Sequence, residues 1–271
     1  MTHVGLLACY AGLLASATAP QLSSALSLRS GTEMSQQNGL RTNLLASDED
    51  LPQTPTPPQA DDKTGDCLEI INKLRKENLK DLLGTLTKAD DTEVTQSLKK
   101  IEIEQPENPT AATIAVTLAG DNVETCNSGI NANAETYPGL VIPFTHETEF
   151  DCSAFIQATY TAGLDHLKQS NFDPSTETYD VENAPFDNVD ASNVAFLLSA
   201  KSTKVSCAAT NNCSAGHDVL FCYFIEPLQK GEKPFTPELY NALWGLETGA
   251  ASISVPSVPT VLFVLALIIR I

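Results

Sequence analysis

The sequence predicts an α+β domain with a central antiparallel sheet, stabilised by disulfides. Three apolar runs, Val194–Leu198, Val205–Ala209 and Val219–Ile225, follow one another between Asn193 and Ile225. Each is rich in β-branched or aromatic residues, and turn-forming stretches (Ser-Ala-Lys-Ser, then Thr-Asn-Asn-Cys-Ser-Ala-Gly) separate them, as expected of consecutive antiparallel strands. Segments with helical apolar spacing come before and after these runs, which makes a layered domain from Asp66 to about Glu247. Seven cysteines are present, and Cys9 falls in an N-terminal export signal. The even set that remains, Cys67, Cys126, Cys152, Cys207, Cys213 and Cys222, suits three bridges in an exported chain.

The elements follow in order. Asp66 is placed to cap a helix of roughly five turns, because Cys67, Ile70, Ile71, Leu74, Leu82 and Leu86 recur at near-helical spacing; Gly84 weakens its last turn. A polar helical stretch around Glu93–Lys100 ends before Pro106 and Pro109. Ala112–Ala119 is ambiguous: Ile114, Val116 and Leu118 alternate as in a strand, while the alanines suit a helix. Cys126 to Pro143, with Gly129, Pro138 and Gly139, reads as loop. Phe150–Leu167 is a second good helix, capped by Asp151, with Cys152, Phe155, Ile156, Tyr160, Leu164 and Leu167 on one face. Asn171 to Ser192 is a long acidic loop leading to the three strands. Thr236 and Pro237 supply the N-cap and first position of a short helix through Leu246, with Leu239, Leu243 and Trp244 on its apolar face.

Both ends read as processing segments. The apolar run Val4–Leu14 precedes Ala15-Ser16-Ala17, so residues 1–17 form a signal peptide cleaved after Ala17. Residues 18–65 are rich in Ser, Gln, Thr, Asn and Pro and lack apolar periodicity, which predicts a disordered arm. Residues 248–271 carry small residues (Gly249, Ala250, Ala251, Ser252), the spacer Ile253–Thr260 and the apolar tail Val261–Ile271, the tripartite pattern of a GPI-attachment signal. The modified residue is expected among those four small ones. Eleven tail residues are about half of what a membrane-spanning helix needs. The expected destination is the secretory pathway and the outer face of the plasma membrane.

Charge and chemistry narrow the function classes. The formal charge is −18, from 34 acidic against 16 basic residues, so a nucleic-acid partner is not expected. Cys207 and Cys222 flank the last loop closely enough for one bridge, and Cys213 in that loop needs a partner elsewhere; fifteen pairings are formally possible for six cysteines. No C-x-x-C occurs and the Cys207–Cys213 step suits zinc poorly, so no metal or cofactor is expected. Hydrolytic, P-loop and dinucleotide-binding motifs are absent. His146-Glu147-Thr148-Glu149 with Asp151 is the best acid–base or metal candidate, but reads as a solvated helix start. His217-Asp218 reads as a turn before the last strand and His166 as an exposed helical residue, so no catalytic residue and no enzyme activity are expected. The sequon Asn212-Cys213-Ser214 centres on a cysteine expected to be bridged, so little glycosylation is expected there.

The motifs Asp151-Cys152-Ser153-Ala154, Ala191–Leu197 (ASNVAFL), Lys204–Ala208 (KVSCA), Leu220–Phe224 (LFCYF) and Glu238–Gly245 (ELYNALWG), taken together, resemble the Eimeria surface antigen (SAG) family of coccidian parasites over about Cys67–Ser252. That family in turn resembles the CAP superfamily. The resemblance implies an α-β-α sandwich with a central antiparallel sheet and the pairings Cys207–Cys222, Cys126–Cys213 and Cys67–Cys152. It does not carry over CAP metal binding, because His146 and His217 lie outside the metal motifs, nor sterol binding, which no residue supports. The implied function is a GPI-anchored surface antigen that mediates host-cell attachment or immune interaction through a host protein or glycan. A lipid- or sterol-binding carrier, or an immune decoy without a ligand, are the alternatives.

Overall fold

The structure, a computed structural model, describes residues 55–245 apart from Lys80. The segments read as a signal peptide and a GPI-attachment signal, and most of the segment read as a disordered arm, lie outside these residues. The described chain runs β1 (Ala60–Asp62), α1 (Thr64–Lys76), β2 (Thr87–Lys88), α2 (Asp91–Lys100), α3 (Ala111–Ala119), a 3₁₀ turn (Gly129–Asn131), β3 (Leu140–Thr145), α4 (Cys152–Ser170), α5 (Val189–Leu197), β4 (Lys204–Thr210), β5 (His217–Phe224) and α6 (Pro237–Leu243). No helix among the described residues is long and apolar enough to cross a membrane.

The sheet has the order β1-β4-β5-β3, with the short β2 also on β4. All pairings are antiparallel except β2–β4. Strand alternation assigns its two faces. Cys222 bonds to Cys207, whose sulfur lies beside Cys67 of α1, so this face meets α1 and, through the Cys67–Cys152 bridge, α4. The next residue, Tyr223, points the other way and its hydroxyl lies 2.9 Å from that of Ser97 on α2. On that second side α3 also packs against β4 and β5. Helices therefore cover both faces of a mostly antiparallel sheet.

Local signals place most helix starts. Asp151 accepts from Ala154 N at 3.0 Å and Thr236 from Leu239 N at 3.1 Å, the latter with Pro237 at the first turn. Asp90 with Glu93, and Thr110 with Thr113, form reciprocal capping boxes on α2 and α3. Asn171, in the left-handed region at φ 57°, ends α4. The ambiguous alanine-rich segment is a helix, since Ala111, Ile114, Ala115 and Ala119 share its buried side.

Four expectations are corrected. The first apolar run, Val194–Leu198, is the end of helix α5 and its exit, not a strand: Asn188 caps the helix through Ala191 N at 3.0 Å. Residues 191–197 are all buried, so the helix presents no polar side and its run resembles a buried strand. A close approach accounts for that burial, since a Cβ on Gly163 of α4 would meet the Asp190 carbonyl at 2.2 Å. Second, α1 starts at Thr64, with Asp66 in its first turn, and stops at Lys76 rather than near Leu86. Asn78 takes a left-handed φ of 61°, and the chain folds back with Leu79, Leu83 and Leu86 still buried. Asn72 holds the returning segment through both the N–H and the carbonyl of Leu86.

Third, the stretch read as loop through Pro143 contains β3. Pro143 is tolerated because, among the described residues, β3 pairs only with β5. On β3 the side-chain amide of buried Asn193 bonds Val141 N and Val141 O, each at 2.8 Å, in place of a further strand. Fourth, β1 lies inside the segment assigned to the disordered arm. Two of its three residues are aspartates, but its backbone pairs with Thr210–Ala208, and Asn212 accepts from Gln59 N at 2.7 Å.

Between β1 and β2, among the described residues, no strand pairs with the outer edge of β4 at Cys207; Lys63 N donates to the Cys207 carbonyl at 2.8 Å, and fully buried Thr64 completes the edge. Its hydroxyl accepts from Cys207 N at 2.9 Å and donates to Cys207 O at 3.2 Å. Thr64→Val removes both bonds at nearly constant volume, and we expect about 2 kcal/mol of destabilisation by urea unfolding; an unchanged midpoint would show that water replaces the hydroxyl.

Burial pushes the Tyr160, Tyr179 and Tyr223 phenols up to about 12, whereas it pulls the Arg75 guanidinium down to about 10. The signs oppose. A phenol with a folded pKa above the unfolded value of 10.0 contributes stability below pH 10 that is lost as pH rises towards 12. Arg75, depressed from 12.5, works the other way over nearly the same range. Three groups outweigh one, so stability falls between pH 10 and 12. Tyrosinate absorbance and loss of circular dichroism should rise together there; phenolate formation near pH 10 with native dichroism would contradict this.

Candidate functional site

The six cysteines are brought together as three disulfides. Cys67–Cys152 joins α1 to α4, Cys126–Cys213 ties the segment after α3 to the β4–β5 loop, and Cys207–Cys222 joins directly paired residues of β4 and β5. The first two span 85 and 87 residues of sequence, so each constrains the unfolded chain by about 4.5 kcal/mol, against about 3 for the third with its separation of 15. Gly216 is required beside the second bridge: its φ is 74° and a Cβ there would meet the Thr125 carbonyl at 2.1 Å.

The residues considered for catalysis do not converge. His146 lies in the turn after β3, where its backbone N–H donates to the Gly216 carbonyl and its Nδ1 is 3.3 Å from the same oxygen. Its nearby carboxylate is the adjacent Glu147, at 4.0 Å. His217 opens β5 opposite Thr145, and His166 is partly exposed on α4. Glu149 and Asp151 precede α4, where Asp151 serves as its cap. Asp218 is buried, and one of its carboxylate oxygens has no hydrogen-bond partner among the described residues. Among the described residues, one set of three potential metal-ligand atoms lies close together, the sulfurs of Cys67, Cys207 and Cys222, and all three are bound in disulfides.

The surface offers shallow hollows. One, of about 290 Å³, is lined by Ile101, Ile103, Tyr179, Val181 and Leu228 with charged neighbours including Lys230. Another, of about 500 Å³, runs beside β3 between Val141, Pro143, Asp190 and the exposed Ile130. A third, of about 480 Å³, surrounds Cys152 and is lined by Asp66, Glu149, Phe150, Asp151 and Ser153. Several lysines are occupied by carboxylates: Lys88 by Asp62, Lys204 by Glu93, Lys201 by Glu232, and Lys230 by Glu182 and Asp180. Such exposed pairs add little stability, but they leave the acidic excess to dominate the surface.

No protein-family model and no curated protein matches the chain. Among solved structures, the crystal structure of the Eimeria tenella surface antigen protein SAG19 matches with 77% sequence identity and a TM-score of 0.69, over 71% of this chain and 100% of that one. The chain belongs to the Eimeria SAG family. Identity at this level over the whole of SAG19 fixes a shared fold, and the SAG protein is a surface antigen with mixed helices and antiparallel sheet and three disulfides. Motif reading missed residues that matter to this SAG fold. Arg75 resembles any charged residue on an amphipathic helix, and Thr64 any polar residue near a helix start. Asn193 left a trace, as an amide inside an apolar run, but its partner lies 52 positions away.

Proposed function

We propose that the protein is a GPI-anchored antigen on the outer face of the parasite plasma membrane that attaches to host cells through a host protein or glycan. The observation that carries this reading is the 77% identity to SAG19 over the whole chain of its crystal structure, which makes the chain a surface antigen. The anchor rests on the small residues Gly249–Ser252, the spacer and the apolar tail of the sequence. The acidic surface favours a cationic or neutral host group over an anionic polymer. Helices on both faces of the sheet support assigning the fold to the CAP-like sandwiches.

Two experiments test the reading. Phosphatidylinositol-specific phospholipase C, applied to cells that express the full chain, should release it into the medium; retention after treatment would rule out the anchor. The oxidised ectodomain, residues 55–247 so that β1 is kept, is then titrated onto intestinal epithelial cells beside a reduced and alkylated control. Saturable binding that is lost on reduction is expected. Equal binding by both samples would place the contact outside the disulfide-held fold, and no binding by either would leave a decoy without a ligand as the better reading.

A further inference from the structure

Two of the three bridges lie against each other. The sulfurs of Cys67, Cys207 and Cys222 are all within 4.8 Å of one another, and Cys67 is bonded to Cys152. All four cysteines are buried, Cys67 and Cys222 at 0% exposure, Cys207 at 1% and Cys152 at 4%, and of the four Cys152 is the one that lines the acidic hollow. We propose that the adjacent bridges form a thiol-exchange relay entered through Cys152, so that a small external thiol rewires the domain instead of opening a single bridge.

The steps balance as ordinary thiol–disulfide exchange. An external thiolate attacks Cys152 Sγ, a mixed disulfide forms there, and Cys67 leaves with the bonding pair as a thiolate. Cys67 then attacks Cys207 or Cys222. A Cys67–strand bridge forms, and the other strand cysteine leaves as a thiolate and takes a proton from water. No oxidant is consumed. The α1–α4 and β4–β5 ties are replaced by one tie between α1 and the sheet. Asp66, Glu149 and Asp151 around the entrance repel anionic thiols and attract cationic ones.

The test uses the full secreted chain. It is treated briefly with cysteamine without denaturant, quenched with N-ethylmaleimide, and its linked peptides are mapped by mass spectrometry. The expected first product carries cysteamine on Cys152, maleimide on Cys207 or Cys222, and Cys67 bridged to the other of that pair. Maleimide on Cys67 with Cys207–Cys222 intact, or opening of Cys207–Cys222 before Cys152 is modified, overturns the relay. Cysteamine should react roughly tenfold faster than mercaptopropionate at low salt, with the difference shrinking as salt rises; equal rates overturn the acidic entrance. Cys152→Ser provides a second route. Its folded form should already contain Cys67 bridged to a strand cysteine, and a free thiol confined to Cys67 contradicts the proposal.

Discussion

Replacing Arg75 by methionine should destabilise the domain by about 3 kcal/mol, the largest loss expected from a single side chain outside the cysteines. Arg75 is fully buried and has no carboxylate partner among its hydrogen bonds. Its Nε donates to Gly84 O at 3.1 Å, and its Nη1 donates to Leu197 O at 2.8 Å and Ser199 O at 3.0 Å. The last two acceptors lie at the exit of α5, where helix carbonyls lack intrahelical donors and a cation meets the negative end of the helix. One side chain of α1 thus fastens the folded-back segment after it and the end of α5. Methionine fills much of the space but leaves these carbonyls unpaired, at about 1–3 kcal/mol each, partly offset by removing a buried charge whose Nη2 has no partner among the described residues. Lysine in the same place should recover less than half, because an ammonium cannot reach the acceptors in a fixed fork. Urea unfolding with unchanged slope measures the loss; a change under 1 kcal/mol would mean that water serves these carbonyls equally well.

The second large effect is expected from Cys126→Ser combined with Cys213→Ser. The bridge closes a loop of 87 residues, so its removal restores unfolded-state entropy of about 4.5 kcal/mol at room temperature. Little regular structure supports that region otherwise: Ser214 N donates to Val123 O at 2.8 Å and His217 N to Cys126 O at 3.4 Å, and the segment after α3 has only a short 3₁₀ turn. The corresponding double change at Cys207 and Cys222 should cost less, about 3 kcal/mol, because its loop is shorter and the β4–β5 ladder stays in place. Denaturant midpoints of the two double variants give the ranking. The reverse order would show that strain or residual unfolded structure outweighs loop entropy here.

Legibility followed the range of the interaction. The starts of α4 and α6 were visible because Asp151 and Thr236 each accept from an N–H group three residues on. The strands β4 and β5 were visible as β-rich apolar runs separated by a turn. Helix α5 was misread because periodicity reports burial, and a helix buried on every side has none to report. β3 was hidden by Pro143, whose missing N–H costs nothing on the side where no strand pairs, and β1 by side chains that contribute little apolar surface. The stop of α1 depended on Asn78 entering the left-handed region, a choice supported by Asn72 and Arg75 binding the returning chain.

The chain by itself determined its family through a joint set of motifs, the even set of six cysteines that follows Cys9, its acidic excess and the caps that start α4 and α6. These are properties of composition or of neighbours within a few positions. Tertiary structure alone decided that two bridges lie side by side, that Thr64 and Asn193 stand in for missing strands, and that an arginine is fully buried among carbonyls. Each joins groups at least nine and as many as 143 positions apart. Such contacts form only once the sheet and its helices have met, and no local pattern encodes which polar group will then be left facing which.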